Sequence, residues 1–346
     1  MTSNTGMRRL PAEWEPHGAV MISWPHAGTD WAYMLEEVTE CYVKLAETIA
    51  SEAKLIIVGP DLDVPRERLA HLPSRNIVYV EMPTNDTWAR DFGPITVETD
   101  AGHAIADFQF NGWGLKFASC FDNLVTANLV NQGIITGNYE NRRGFVLEGG
   151  SIESDGEGTL LTTAECLLSP NRNAEMDESQ IEAYLKEAFG LKKVLWLHHG
   201  ALAGDDTDSH TDTLARLAPD NTIIYTATDR RDDQHYEELQ AMKRELMTFA
   251  TAEGKPYRLV ELPLPEAIYD EDGERLPATY ANYLVIGGAV LMPTYGQPAY
   301  DEAAAAALGD VFPGFKVVTV DCRALICQHG SLHCATMQLP TEILNV

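Results

Sequence analysis

Amphipathic helical segments alternate with short apolar strands along the chain, and this alternation restricts the fold more than any other feature of the sequence. In the clearest case, residues 30–53, apolar side chains recur mostly at intervals of three and four and form one stripe on a helix. The apolar run 54–58 follows as a buried strand and ends at a Gly-Pro turn. Because this order recurs, the sequence predicts about five αβ units and an α/β fold.

The other predicted elements repeat the same order. Further helices are predicted to begin near Cys120, Asp177, Asp233 and Tyr300. Strands are predicted at residues 144–147, 159–162, 194–197, 222–226, 257–262, 289–292 and 316–320. No low-complexity tract or Pro/Gly/Ser linker divides the 346 residues, so we expect a single domain over residues 1–346.

The charge balance restricts the partners of the chain. It has 52 acidic and 25 basic residues and a net charge of −27. Such a charge repels nucleic acid and anionic membrane surfaces, so neither is an expected partner. It attracts small cations, an effect that salt screens beyond roughly 8–10 Å. The longest apolar run, near residues 283–292, is too short to cross a bilayer as a helix.

The cysteine pattern indicates the cellular compartment. Six cysteines are present without a Cys-x-x-Cys pair, which argues against a zinc ribbon, a thioredoxin-like motif and a disulfide scaffold. A proline and two glutamates interrupt the N-terminal region, so no signal-peptide layout is predicted. We therefore expect a reduced, cytoplasmic location.

The first chemistry-bearing motif contains Arg90 and Asp91, followed by a Gly-Pro turn. Asp91 is a candidate carboxylate for a cationic substrate, because carboxylates pair with guanidinium groups through two hydrogen bonds. The alternative is an Arg-Asp pair on the surface beside the turn. Trp88 and Trp113 are candidate walls of a cation pocket through cation–π contact, although aromatic residues near turns also belong to the core.

The second motif is Glu148 followed by Gly149 and Gly150, directly after an apolar strand. Two glycines allow the backbone to approach another group closely or to adopt a positive φ. Glu148 at the tip of the strand is therefore a candidate second carboxylate. The alternative is a glycine hairpin with an incidental acid.

The third motif, residues 204–212, contains four aspartates and one histidine. If it forms a strand, His210 and Asp212 point to the same face. His210 could then act as general acid and base, with Asp212 holding substrate charge. A solvated acidic loop and a site for calcium or magnesium are the alternatives, although the EF-hand pattern is absent.

The fourth motif ends in Cys334, a candidate nucleophile. Adjacent strand residues point to opposite faces, so His210 is a better partner for the thiol than His333. We expect a bound guanidinium and a nearby histidine cation to lower the pKa of the thiol. A buried, inert structural cysteine is the alternative.

Taken in order, these motifs resemble those of the agmatine deiminase family, also known as bacterial peptidylarginine-deiminase-like proteins, in the guanidino-group-modifying superfamily. The resemblance extends from about residue 10 to about residue 340, and five motifs in this order are highly specific. The matching segments are 10–17 (LPAEWEPH), 88–94 (WARDFGP), 111–114 (NGWG), 148–151 (EGGS), 165–168 (ECLL), 171–173 (NRN), 204–212 (GDDTDSHTD) and 330–334 (GSLHC).

The resemblance implies a fold and a reaction. The fold is a pseudo-fivefold α/β propeller of repeated ββαβ-type modules, and the reaction is hydrolysis of agmatine to N-carbamoylputrescine and ammonia. By this resemblance Cys334 is the nucleophile and His210 the proton shuttle, while Asp91, Glu148 and Asp212 hold the guanidinium. No metal or organic cofactor is implied, and a homo-oligomer is allowed.

The chain departs from the family pattern beside three motifs. Leu115 replaces the second glycine of an AWGGK-like stretch, Ser209 and Thr211 flank His210 in place of glycine and isoleucine, and residues 329–334 read HGSLHC in place of GGNIHC. An acidic site repels the carboxylate of arginine, which favours agmatine as substrate. The alternatives are a deiminase of free or peptidyl arginine, a metal-dependent hydrolase that uses His210 and the aspartates, and a non-catalytic polyamine-binding protein.

Overall fold

The computed structural model describes residues 6–346, which form an α/β fold and confirm the predicted class. These residues contain seventeen strands: β1 (Arg8–Arg9), β2 (Ala19–Ser23), β3 (Lys54–Gly59), β4 (Ile77–Glu81), β5 (Ile95–Thr99), β6 (Gly102–Gln109), β7 (Asn138–Val146), β8 (Ile152–Ser154), β9 (Thr159–Thr163), β10 (Lys193–Leu197), β11 (Ala215–Ala218), β12 (Thr222–Ala227), β13 (Arg258–Pro263), β14 (Leu284–Ile286), β15 (Ala289–Thr294), β16 (Lys316–Asp321) and β17 (Thr336–Leu339).

Ten α-helices connect these strands within residues 6–346. They are α1 (Leu35–Glu52), α2 (Asp63–Arg68), α3 (Ala89–Phe92), α4 (Gly112–Leu115), α5 (Val125–Asn131), α6 (Ala164–Leu167), α7 (Glu178–Phe189), α8 (Thr211–Leu214), α9 (Tyr236–Leu246) and α10 (Pro298–Val311). Short 3₁₀ helices lie at Asp30–Met34, Ser74–Asn76, Asp122–Leu124, Gly149–Ser151, Leu325–Gln328 and Thr341–Ile343.

The strands form five sheets with one shared pattern. Their orders are β17-β2-β3-β4, β1-β5-β6-β7, β10-β9-β8, β11-β12-β13 and β14-β15-β16. In each sheet one strand pairs antiparallel with its neighbour, and a helical crossover then leads to a parallel partner. The five αβ units predicted from the sequence therefore correspond to five sheets. The first sheet is completed by β17, from the far end of the described chain.

Local sequence signals account for the helix bounds. The predicted helix over residues 30–53 is a 3₁₀ turn followed by α1, whose apolar stripe is buried. Asp177 caps α7 in a capping box with Gln180, and Gly190 ends the helix at a φ of 71°. The helix predicted near Cys120 begins later, at Val125, because the 3₁₀ turn Asp122–Leu124 comes first.

The main core lies where helices cover the sheets. All five residues of β2 are buried, as are Leu55 to Gly59 of β3, so these strands are covered on both faces. Within residues 6–346, no helix is both long enough and apolar enough to cross a membrane.

The candidate site residues lie in segments that connect one sheet to the next. Asp91 follows β4, Glu148 follows β7, His210 and Asp212 follow β10, and Cys334 follows β16. Residues far apart in sequence therefore meet in one place, carried by four different connections between rigid sheets.

Candidate active site

Cys334 is buried, with 4% of its surface exposed. Its Sγ lies 3.6 Å from Oδ2 of Asp212 and 3.2 Å from Nδ2 of Asn282. Burial, together with the negative charges of Asp212 and Asp91, raises the pKa of the Cys334 thiol well above its ordinary value. The expected lowering of this pKa therefore requires a bound cation, which would offset those charges.

Gly150 marks the point where the other candidate side chains meet. A Cβ atom on this residue would stand 2.7 Å from Nδ1 of His210, 2.8 Å from Oδ1 of Asp91 and 3.0 Å from Oδ2 of Asp212. The second glycine of the Glu-Gly-Gly motif thus leaves room for an imidazole and two carboxylates. The hairpin alternative was wrong, since a 3₁₀ helix follows Glu148.

Asp91 is buried and directed into the site, so the surface ion-pair alternative was also wrong. Its Oδ2 accepts a hydrogen bond of 2.9 Å from Nε1 of Trp113, and its Oδ1 accepts one of 2.9 Å from the backbone N–H of Gly150. Burial and the nearby charge of Asp212 raise the pKa of the Asp91 carboxyl well above its ordinary value. The neighbouring Arg90 interacts instead with Gln338 and is also buried.

His210 is buried, and Nδ1 of its ring lies 3.6 Å from Oδ1 of Asp91. The segment does not form the strand that would place His210 and Asp212 on one face: His210 immediately precedes the short helix α8, where Thr211 and Thr213 form local hydrogen bonds. Burial lowers the pKa of His210 to about 3. The imidazole is therefore neutral in the empty site, so a histidine cation does not activate the thiol before substrate arrives.

Three buried polar atoms in this site have no hydrogen-bond partner among the described residues. They are both ring nitrogens of His210 and Oδ1 of Asp212. Leaving such groups unpaired costs roughly 1–3 kcal/mol each, so buried polar groups normally find a partner. A bound molecule that offers N–H donors to the carboxylate and accepts or gives a proton at the imidazole would satisfy them.

Asp212 is held by His333, a contact that the sequence did not predict. Nδ1 of His333 lies 2.7 Å from Oδ2 of Asp212, and its Nε2 lies 2.7 Å from Oε2 of Glu13. Burial by itself would raise the pKa of Asp212, but the hydrogen bond from His333, together with the nearby positive charges that include Arg216, holds that pKa below its ordinary value. The buried Arg216 completes the cluster through ion pairs with Glu13 and Glu153.

Glu148 is fully buried but pairs with another protein group. Both of its carboxylate oxygens lie 3.0 Å from Nε of Arg172. Burial raises the pKa of Glu148, and the Arg172 guanidinium opposes that rise. One oxygen of Glu148 also lies within 4.8 Å of a ring nitrogen of His210 and of the Cys166 thiol. Glu148 therefore lies near His210, with its charge paired to Arg172.

A cleft opens next to Cys334 and Asp91, with about 370 Å³ of space that protein atoms do not fill, part of it open to solvent. Trp88 and Trp113 both line this cleft. The remaining lining residues are mostly polar: Asp30, Asp86, Phe117, Asp206, Thr207, Gln328, His329 and Gly330. Burial, with the charges of Asp30 and Asp206, raises the pKa of Asp86 to about 7.

Two aspartates of the 204–212 loop already have protein partners. Asp205 accepts hydrogen bonds from Thr207 and from the backbone of Ser209. Asp208 forms ion pairs with Lys116 and Arg172. These contacts fix the loop that leads to His210, and they use the oxygen atoms that a calcium or magnesium site in this loop would need.

A buried thiol beside an imidazole and two carboxylates, at an acidic cleft, defines a cysteine-dependent enzyme site for a cationic substrate. Comparison with known proteins agrees with this class. The family described as Porphyromonas-type peptidyl-arginine deiminase matches residues 9–340, and the chain belongs to this family.

Individual relatives match over nearly the whole chain. Agmatine deiminase of Medicago truncatula is 32% identical, with 96% of each chain covered. A solved structure from Porphyromonas gingivalis, provisionally called an arginine deiminase, is 49% identical with a TM-score of 0.92, and it covers 98% of this chain and 100% of its own. A cysteine-to-serine variant of C. jejuni agmatine deiminase with substrate bound is 37% identical with a TM-score of 0.91, and 99% of each chain is covered.

Proposed function

We propose that the protein is an agmatine deiminase, which hydrolyses agmatine to N-carbamoylputrescine and ammonia. The observation that carries this proposal is the composition of the cleft beside Cys334. Four carboxylates line it, from Asp30, Asp86, Asp91 and Asp206, and no lysine or arginine of the described chain does. Agmatine carries a cationic group at each end, whereas arginine adds a carboxylate that these aspartates repel. The names of the relatives support the same substrate.

The side chains suggest one role each in the first half of the reaction. Asp91 and the unpaired oxygen of Asp212 hold the planar guanidinium so that its carbon faces the sulfur, which supplies proximity and orientation. The Cys334 sulfur bonds to that carbon as its proton passes to His210. His210 gives this proton to a departing nitrogen, the C–N bond breaks, and ammonia leaves a thiouronium on the sulfur.

The second half of the reaction reverses the proton path. Water adds to the same carbon and passes a proton to His210. The C–S bond breaks, its electron pair returns to sulfur, the hydroxyl group added from water loses its remaining proton to solvent, and the ureido group of N-carbamoylputrescine remains. His210 then restores the proton to Cys334. Glu148, an expected guanidinium ligand, is held near His210 by its ion pair with Arg172.

The empty site predicts how activity depends on pH. The pKa values of Cys334 and Asp91 are raised, so both groups favour their protonated forms until a cation binds. Raising the pH removes those protons and favours binding and attack, while agmatine itself stays doubly charged. We expect kcat/KM for agmatine to rise with increasing pH as these two groups lose their protons. His210, whose pKa is about 3, is neutral in the empty site at and above neutral pH, so its titration does not shape this part of the pH profile. A profile that is flat or falls with pH would contradict these roles.

A substrate panel tests the proposed function. Ammonia release is measured with agmatine, free arginine and a peptidyl-arginine in parallel, with Cys334→Ala as the blank. Release from agmatine alone supports the proposal. Release from free arginine supports the second candidate, a deiminase of arginine, which the P. gingivalis relative favours. Release from the peptide alone would point to the substrate in the family name, and activity that EDTA abolishes and Cys334→Ser retains would indicate a metal-dependent hydrolase.

The proposal also includes the arrangement of the five sheets, a single catalytic domain and the cellular location of the protein. The repeated pairing in five sheets supports an arrangement around a pseudo-fivefold axis, with the site where the connecting segments converge. A single catalytic domain over residues 1–346 fits a site assembled from all of these sheets, although residues 1–5 lie outside the described chain. The six cysteines are unpaired, which fits a reduced cytoplasmic location.

A further inference from the structure

The segment 10–17 resembles the family pattern but carries none of the predicted site residues. Its Glu13 has a side chain that is only 9% exposed, and both of its oxygens are bound. Oε1 accepts a hydrogen bond of 2.9 Å from the backbone N–H of Val285, and Oε2 lies 2.8 Å from Nη2 of Arg216. Oε2 also lies 2.7 Å from Nε2 of His333. Glu13 is therefore firmly held and meets the ring of the residue next to the nucleophile.

The buried ring of His333 connects Glu13 to Asp212. Among the described residues, Nδ1 has one hydrogen-bond partner, Oδ2 of Asp212 at 2.7 Å. The pKa of Asp212 lies below its ordinary value, so its carboxylate is ionised and can only accept a hydrogen bond. Nδ1 therefore carries a proton and donates it to Asp212. On the other side of the ring, Glu13 and the guanidinium of Arg216, at 3.1 Å, hold Nε2.

The two buried carboxylates beside the thiol differ in their contacts and in their charge. Asp91 accepts hydrogen bonds from neutral groups, and burial with the charge of Asp212 raises its pKa. Asp212 accepts a hydrogen bond from His333 and lies among positive charges, and its pKa is lowered. Asp212 is therefore the carboxylate that stays charged in the empty site. Its Oδ1 has no partner among the described residues and is left for a substrate N–H.

We propose that His333 is a positioning residue for the reaction, whose Nδ1–H holds one oxygen of Asp212 and so directs the other toward the guanidinium, and that Glu13 fixes His333 in turn. This inference rests on the proposed function, in which Asp212 binds the guanidinium. Because the ring is also held at Nε2, the carboxylate cannot turn away from the site, and a group already aimed at its ligand loses less freedom on binding. Without this hydrogen bond, a buried Asp212 beside Asp91 would favour its protonated, uncharged form.

Two amide side chains separate the roles of the two ring nitrogens. The amide of asparagine extends about as far as Nδ1, so His333→Asn keeps a donor for Asp212. The amide of glutamine extends about as far as Nε2, so His333→Gln keeps only the contact with Glu13. Glu13→Gln keeps the shape of the side chain, removes its charge, and decides the matter if the His333 variants do not fold. Glu15→Gln is the matched control, because this carboxylate of the same segment pairs with Arg9.

Two readouts are measured on each folded variant. Ammonia release from agmatine gives kcat and KM. Protection of Cys334 from iodoacetamide by guanidinium chloride, with sodium chloride as the salt control and below concentrations that unfold the protein, reports guanidinium binding without turnover. For His333→Gln we expect KM to rise about 10- to 150-fold, the range for a hydrogen bond to a charged group, with a smaller change in kcat and loss of the protection. His333→Asn and Glu15→Gln should stay close to the wild type, and Glu13→Gln should lie between these results.

The outcomes distinguish this role from packing and from the proposed substrate. Unchanged KM and unchanged protection in folded His333→Gln, or in folded Glu13→Gln if that variant alone folds, would overturn the inference. Equal losses in His333→Asn and His333→Gln would also overturn it, because a residue needed only for packing predicts no difference between the ring nitrogens. So would a fall in kcat alone, which damage to the loop around Cys334 predicts. If the wild type releases no ammonia from agmatine, the proposed substrate fails, and protection by guanidinium chloride still decides the role of His333.

Discussion

Replacing Cys334 by alanine is expected to lower kcat for agmatine by about 10⁶-fold, the size of effect that follows loss of a covalent nucleophile. Substrate should still bind, because Asp91, Asp212 and the aspartates of the cleft remain. Removing the thiol leaves a small gap and no unpaired polar group of its own. Ammonia release measures the loss, and calorimetric titration with agmatine measures the retained binding.

One further variant sharpens this experiment. Cys120 is an exposed free cysteine, so Cys120→Ala should keep wild-type activity and exclude a general effect of losing a thiol. Ammonia release by Cys334→Ala at a rate within a few-fold of wild type would remove the nucleophile assignment. Loss of agmatine binding together with turnover would show that Cys334 supports the structure of the cleft as well as the chemistry.

Adding one methyl group at Gly150 is expected to be nearly as damaging. A Cβ there would overlap His210, Asp91 and Asp212, with contacts of 2.7, 2.8 and 3.0 Å, and these side chains would have to move apart. A misplacement of 1 Å costs about 10²-fold and loss of an acid–base group up to about 10⁴-fold, so we expect kcat/KM to fall about 10³-fold.

The control for this variant is another glycine on the same part of the chain. A Cβ on Gly144, in β7, would meet no atom within 4 Å, so Gly144→Ala should be close to wild type in activity. Circular dichroism and thermal melting show whether both variants fold. If folded Gly150→Ala retained wild-type kcat/KM, His210, Asp91 and Asp212 would not form the reacting site.

The sequence predicted the groups that carry charge or react, because these groups lie in short motifs whose residue types match their chemistry. Cys334, His210, Asp91 and Asp212 were found in this way, and the structure brings them together. The alternation of helices and strands predicted the five units, since periodicity reports which faces are buried. The predicted bounds of elements were less accurate where a 3₁₀ turn precedes a helix, as at Asp122–Leu124. The short helix after His210 was not predicted.

The supporting contacts were not predictable from the motifs. Glu13 touches His333, and Asn282 touches Cys334, across large separations in sequence. Glu13 and Arg172 stand in segments that resemble the family, yet a sequence pattern does not state which atom a side chain contacts. Glu148 is an example. The sequence led us to expect that its carboxylate holds substrate, and the structure shows that it also forms an ion pair with Arg172.

The pairing of β17 with β2 also bears on how the protein folds. It joins residues 336 and 22, so a very long loop must close before the first sheet is complete. Such pairings are entropically costly and are expected late on a folding pathway. Cys334 lies just before β17, whereas Asp91, His210 and Asp212 belong to segments that can assemble earlier. A partly folded chain would therefore hold the carboxylates and the imidazole without the thiol, and reactivity would begin only with the final closure.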